Sequence, residues 1–350
     1  MTSLTIVTII KNAERRIKSV VNNALQLGDE HIVVDTGSSD DTAEIAAEAG
    51  ARVIEYDNIF DYSSPRNVGT EAASGEWVLH LDTDERIDVR YRSEIQRLIS
   101  DAAFPVYRVL QLTRRQIMSQ QPRLFRKNGF HHEGLVHEWV YPVCNHSYAN
   151  IFIDHQRLLG GNGQREFRQE LLGIEVESLS KKLQDATCEE DLALIVSRCS
   201  RLFSLGDSSQ RAGLVALTQQ AYTKGQRQDL NSQFLREEIG YFTAMMMDEP
   251  REALAILNEL TLSTITSPMY FRAMAQAYRR ASDPTGLDAL DHALRLDETA
   301  AEFHFLRADV LFHDLGEQEE GEKALKHARE LFPEHPCHDR NFFEMVYCLR

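Results

Sequence analysis

Alternation of strand-length apolar runs with amphipathic helical stretches, through the first 85 residues, most constrains how this chain can fold. Leu4 to Ile10 reads as a buried strand, Glu14 to Leu27 as a helix, and His31 to Asp35 as a second strand followed by Gly37 and two serines. Ser39 or Asp40 caps a helix over Thr42 to Ala49, Gly50 closes it, and Arg52 to Tyr56 forms a third strand. A helix around Arg66 to Ala73 leads through Gly75 into the strand Glu76 to Leu81. Such repetition predicts a mainly parallel α/β sheet, in which ligands gather at the carboxyl ends of the strands. Asp35 and the Asp82/Asp84 pair stand at such ends and are expected around one crevice.

From about Glu166 the strand signal fades and amphipathic helices follow one another. With 350 residues and 43% hydrophobic content, the chain has enough apolar material for two cores. The expected domains are therefore 1–165, α/β, and 166–350, all-α. Phe303 to Asp314 and Glu319 to Phe332 read as a helical hairpin turning at Gly316, and Tyr270 to Arg280 with Leu287 to Leu296 as another turning at Pro284 to Gly286. Ala293 and Ala328 hold equivalent places in the two hairpins, at a spacing close to the ~34-residue period of tetratricopeptide repeats. Phe305, Phe312, Gly321 and Leu325 fall at packing positions, although the full consensus is absent. A stacked array of helix pairs is the preferred reading and an irregular bundle the alternative.

A net charge of −16 opposes nucleic acid and anionic lipid as partners, since both need a surplus of Lys and Arg. The run Leu4 to Ile10 stops at Lys11, far short of the ~20 residues of a membrane span, and has neither the basic start nor the small-residue cleavage site of a signal peptide. Cys144, Cys188, Cys199, Cys337 and Cys348 form no CxxC pair, which suits reduced thiols. The expectation is a cytoplasmic protein without a transmembrane segment, with the inner membrane face as its furthest reach.

Asp82-Thr83-Asp84, leaving the run Trp77 to Leu81, is the sharpest chemical feature. At a turn, two carboxylates one residue apart can address the same divalent ion or its waters. A diphosphate leaving group gains charge as its bond to a sugar breaks, and a divalent ion stabilises that charge. The bland alternative is that Asp82 caps the turn and Asp84 is solvated.

Thr5 to Asn12, Ile32 to Thr42, Arg66-Asn67 and Gly75 to Glu85 together resemble, in order, the motifs of family 2 glycosyltransferases. The resemblance covers roughly residues 4 to 175. Pro122 to Arg126, Gly134 to Glu138 and Ile151 to His155 resemble the branch containing lipopolysaccharide core glucosyltransferases and peptide glycosyltransferases, whose members often carry C-terminal helical repeats. It implies a GT-A nucleotide-diphospho-sugar transferase domain followed by a tetratricopeptide-like all-α domain. The implied donor is a UDP-hexose, the ion Mn²⁺ or Mg²⁺, and the outcome inversion at the anomeric carbon. The implied acceptor is a glycan of the bacterial cell envelope, a lipid-linked saccharide or a protein.

Carried onto this chain, the resemblance puts Asp35 on the nucleoside, with an Asx-type turn bond as its alternative. Thr8 meets the base through the backbone. Arg66 lies near the nucleotide or diphosphate, with an ordinary ion pair as its alternative, and Asp82 and Asp84 serve the metal. His155 completes the metal shell, although Gln156-Arg157-Leu158 follows it where the family often has glycine and tyrosine. Imidazole suits Mn²⁺ better than Mg²⁺. Inversion needs a base for the acceptor hydroxyl, and Glu138 is the first candidate, ionised at neutral pH and strengthened by desolvation. His137 orients it or is itself the base, while Asp84 and Glu85 are less suited because the metal occupies that side. Loop hydrogen bonding is the alternative for both.

Two competing readings remain. Nucleotidyl transfer favours a glycine-rich phosphate loop near the first strand, and Thr8 to Asn12 contains no glycine. The other is a non-catalytic nucleotide-binding scaffold with a repeat domain for interaction. The helical half is expected to choose the acceptor and to offer a self-association face for a homo-oligomer, with Phe242 and Met245-Met246-Met247 as candidate surface or core.

Overall fold

The structure, a computed structural model, describes residues 3–56, 61–113, 116–134, 138–155, 163–203, 206–230 and 232–335. It comprises two compact units, Met1–Pro142 with Ala149–Gln164, and Val143–Tyr148 with Arg165–Arg350.

In the first unit, β1 (Leu4–Ile10), β2 (Glu30–Asp35), β3 (Arg52–Glu55) and β4 (Trp77–His80) are linked by α1 (Glu14–Leu27), α2 (Thr42–Glu48) and α3 (Ser63–Ala72). The four strands pair in parallel in the order β3-β2-β1-β4. Helix α1 buries Ile17, Val20, Val21, Ala24 and Leu27, one stripe at helical spacing. On that face Ile10 and Val33 join Ile17, Val20, Val21 and Ala46 in one apolar cluster. On the other face α3 approaches so closely at Gly69 that a Cβ there would collide with Val7 and crowd Val34. Burial on both faces explains why these strands read as unbroken apolar runs.

Two local details differ from expectation. Helix α3 starts three residues early because Pro65 falls in its first turn, where a missing N–H breaks no bond, and Asp61 accepts the backbone N–H of Ser64. The N-cap position of α2 is Asp41, without a side-chain bond, while the Asp40 carboxylate accepts the Thr42 backbone N–H at 3.2 Å.

The larger difference lies beyond β4, where the sheet is mixed. β5 (Glu85–Arg86), α4 (Arg92–Asp101), β6 (Val106–Thr113) and β7 (Gln116–Arg126) precede β8 (His131–Glu133), β9 (Trp139–Tyr141) and β10 (His146–His155). The sheet runs β3-β2-β1-β4-β7-β6-β10-β5, and β8 pairs separately with β9. Strand β7 is antiparallel to both β4 and β6, and β10 to β5. Residues 114–115 between β6 and β7 cannot span a parallel crossover, which takes about a dozen residues.

The second unit contains α5 (Gly163–Asp185), α6 (Glu189–Phe203), α7 (Ser208–Arg227), α8 (Gln233–Met245), α9 (Pro250–Leu257), α10 (Pro268–Arg280), α11 (Gly286–Leu296), α12 (Ala301–Asp309) and α13 (Gln318–Leu331). Helices pack as consecutive pairs, α6 on α7 through α12 on α13, and α8 also meets α6 and α10. Tyr270, Phe271, Met274, Leu290, Ala293 and Phe303 form the core of this stack. After α12 the chain continues as a π-type turn over Val310–Leu315 and reverses at Gly316, whose φ of 72° a side chain would disfavour. Phe242 is fully buried, and Met245 packs against the same core. Residues 143–148 belong to this unit: Asn145 donates to Thr266 at 3.0 Å, Ser147 Oγ donates to Asp297, and the Tyr148 ring lies 5.4 Å from that of Phe303.

Cys144, Cys188 and Cys199 are free thiols, and Cys337 and Cys348 lie outside the described residues. Among the described residues no helix is long and apolar enough to cross a membrane.

Candidate functional site

Strand β4 ends at His80, Leu81 N still bonds Val7 O at 3.0 Å, and Asp82 is the first residue clear of the sheet. Glu85 N donates to Asp82 O at 3.0 Å and closes a tight turn over 82–85. Antiparallel pairing of β5 with the end of β10 sets His155 opposite Glu85, and His155 Nε2 comes within 3.5 Å of Asp84 Oδ2. Two donors each about 2.1–2.2 Å from one divalent ion are about 3–3.5 Å apart, so this carboxylate and imidazole fit two ligands of a shared ion. Among the described residues no three His, Cys, Asp or Glu side chains form a ready-made cluster.

Asp82 is held differently. Its Oδ1 accepts from Arg66 Nη2 at 2.7 Å and its Oδ2 from Arg123 Nη2 at 3.2 Å. Each of its oxygens keeps a second lone pair, so an ion held at Asp84 and His155 can share this carboxylate with the two guanidiniums. Burial works to raise the Asp82 pKa, but the two guanidiniums hold it well below the usual carboxylate range. Arg123 also donates to Glu85 Oε1 at 2.9 Å, Gln111 Nε2 donates to the same oxygen, and Glu85 Oε2 accepts the backbone N–H of Asp82 at 2.8 Å. Glu85 is 1% exposed; burial pushes its carboxyl up to about 7 against the pull of Arg123, and the charge of Asp82 adds to the rise.

Arg66 and Asn67 lie in the first half of α3. Arg66 is 4% exposed and its Nε donates to Glu138 Oε1 at 2.6 Å. Burial disfavours its charge, but Asp82 and Glu138 more than restore it. Asn67 clamps β8, donating to His132 O at 2.9 Å and accepting from His132 N at 2.7 Å. Glu138 therefore sits within a largely buried ion pair with Arg66. Burial alone would raise its pKa, but Arg66 outweighs this and brings it down to about 2, opposite in sign to the strengthening expected from desolvation. His137 lies outside the described residues. Behind Arg66, His80 and His132 meet edge to face at 4.6 Å, and burial drives both toward the neutral form, His132 to about 3.

Asp35 occupies the same sheet edge, two strand spacings from Asp82, or about 10 Å. Its Oδ1 accepts from Ser38 N at 2.9 Å and Ser38 Oγ at 2.8 Å, an Asx-type turn that passes through Gly37 at φ 90°. Thr8 is not brought into the site by its side chain: β1 runs on to Ile10, and Thr8 Oγ1 lies 3.0 Å from His31 Nε2, fully buried.

The geometry thus unites Arg66, Asp82, Asp84, Glu138 and His155 around one turn. Sequence reasoning gave no role to Arg123 or Gln111 and weighed Glu85 only as a less suited base. The available signal was an arginine inside the apolar run Pro122 to Phe125, where an unpaired charge would be costly.

Residues 5–147 match the family described as Glycosyl transferase family 2. A TPR repeat-containing protein of Synechococcus elongatus is 33% identical over 129 residues, 36% of this chain and 32% of that protein. An uncharacterized glycosyltransferase of Rickettsia typhi is 35% identical over 92 residues, 26% of this chain and 31% of that one. The chain therefore spans about a third of the length of these curated relatives. Among solved structures, glucosyl-3-phosphoglycerate synthase from Mycobacterium tuberculosis in complex with Mn²⁺, UDP and glucosyl-3-phosphoglycerate is 25% identical, with a TM-score of 0.26, 32% of this chain and 44% of that chain being covered. The family match falls almost wholly within the first unit, and the helices of the second unit lie after it in sequence.

Proposed function

We propose that this chain, a family 2 glycosyltransferase through residues 5–147, moves a hexose from a UDP donor to an acceptor hydroxyl with inversion, assisted by Mn²⁺ or Mg²⁺. The observation that carries this reading is the 3.5 Å approach of His155 to Asp84 on the turn that closes β4. Asp84 and His155 hold the ion, with Asp82 beside them. Bound there, the ion would neutralise charge on the departing diphosphate. Arg66, kept cationic by Asp82 and Glu138, adds a positive charge next to the same place. Asp35 meets the nucleoside and the backbone near Thr8 the base. Glu138 takes the proton of the attacking hydroxyl as Arg66 turns toward donor, with His137 as the second candidate. The helical unit selects the acceptor, a glycan, a lipid-linked saccharide or a protein, and supplies any self-association face. Three free thiols suit a reducing, cytoplasmic setting.

Calorimetry with UDP tests the reading. Affinity should fall severely after chelation and return with Mn²⁺ at least as well as with Mg²⁺. Asp84→Ala should abolish UDP release from a UDP-hexose, whereas His155→Ala should chiefly raise the Mn²⁺ concentration required. Undiminished UDP affinity in chelator would remove the metal from the proposal.

A further inference from the structure

Beyond the bond from Arg66 to its Oδ1 at 2.7 Å, Asp82 is fixed from two further directions. Its backbone N–H is bonded by Glu85 Oε2 at 2.8 Å, and its Oδ2 accepts from Arg123 Nη2 at 3.2 Å. The same nitrogen, Arg123 Nη2, donates to Glu85 Oε1 at 2.9 Å. The bonds close a ring from the Asp82 backbone through Glu85 and Arg123 to the Asp82 carboxylate, across the turn that also carries Asp84. Both outer members come from the sheet. Leu79 pairs with Leu124 in the β4–β7 register, so Arg123 stands level with the last residue of β4, and Gln111 on β6 braces Glu85 from the next strand.

The Arg123 and Glu85 side chains are 11% and 0% exposed. Desolvating two such charges costs several kcal/mol per ion, so well-packed apolar residues would hold a turn at least as firmly. A guanidinium hydrogen-bonded in this position achieves something apolar packing cannot, which is to set the direction of a carboxylate. We infer that Arg123 and Glu85 are positioning residues for the donor site: they fix the 82–85 turn so that Asp82 and Asp84 face the nucleotide-sugar in one geometry. This rests on the donor-site reading above.

One nitrogen of Arg123 serves both carboxylates, so a lysine ammonium can reproduce the contact approximately, whereas methionine fills the space without a donor. The full chain should be compared as wild type, Arg123→Lys and Arg123→Met, measuring UDP binding by calorimetry with Mn²⁺ and UDP-hexose hydrolysis at temperatures where each variant is folded. Arg123→Met should weaken UDP binding and raise the donor KM by about tenfold or more, with a smaller change in kcat, and Arg123→Lys should recover most of both. If Arg123→Met does not fold, Glu85→Gln, which keeps shape and loses charge, must show the same rise in KM. A folded Arg123→Met with wild-type UDP affinity and KM overturns the inference, as does a variant set whose only defect is a lowered Tm. Wild type that fails to bind UDP with either ion overturns the donor-site reading itself.

Discussion

At the scale of single residues, the electrostatics of Glu138 bear most directly on mechanism. A carboxylate brought down to about 2 is ionised throughout the usual working range, but it is a weak base while Arg66 holds it. Its protonation therefore cannot produce a loss of kcat/KM at pH 4 to 6. Removing Arg66 takes away the largest opposition to burial, which raises the Glu138 pKa and should bring an acid limb into the Arg66→Gln profile. Glu138→Gln should keep UDP binding and lose about 10²–10⁴-fold in kcat, with little change in donor KM. Unchanged kcat in Glu138→Gln would return the residue to a structural role and direct attention to His137. Arg66, Asp82 and Glu138 belong to one ion-pair network, so their single substitutions should not add.

At the scale of elements, the side-chain bond between β1 and β2 has a predictable pH signature. His31 lies between the strands, 3.0 Å from Thr8, and burial pushes it down to about 4. The unfolded chain takes up a proton near 6.5 and the folded one only near 4, so stability is full above about pH 6.5 and is lost as pH falls through that window. His80 and His132 act in the same sense, while Glu85, raised to about 7, opposes them over part of the range. His31→Gln should flatten the dependence of denaturation midpoint on pH between about 6.5 and 4, by on the order of 3 kcal/mol if the variant keeps the Thr8 contact. An unchanged slope would mean that His31 titrates normally in the fold. Elements also decide what reaches the site: Asn67 secures β8, β5 pairs with β10, and neither link joins residues close in sequence.

At the scale of the whole molecule, the helical unit includes a piece of chain that precedes it by some twenty residues. Asn145, Ser147 and Tyr148 find their partners on Thr266, Asp297 and Phe303, and β10 continues from there to His155. A chain ended near Gly173 strips those partners and leaves Ser147 and Tyr148, both nearly fully buried here, exposed at the start of a sheet strand. That fragment should be poorly soluble or unfold at lower temperature than the full chain, with weakened Mn²⁺-dependent UDP binding. A fragment that matches the full chain in both respects would separate the units energetically.

Periodicity alone was enough to reveal the parallel strands β1 to β4, their helices and the later helical pairs, because a two-sided sheet and an amphipathic helix each impose a local repeat on the sequence. Asp82 and Asp84 were legible for the same reason, standing at the end of an apolar run. The antiparallel strands β6, β7 and β10, the insertion of 143–148 among the helices, and the ring of Glu85, Arg123 and Asp82 were not. Strand pairing depends on partners far along the chain. So does the charge state of a buried carboxylate, which burial and Arg123 set for Glu85 and Arg66 sets for Glu138, and no local repeat in the sequence encodes such neighbours.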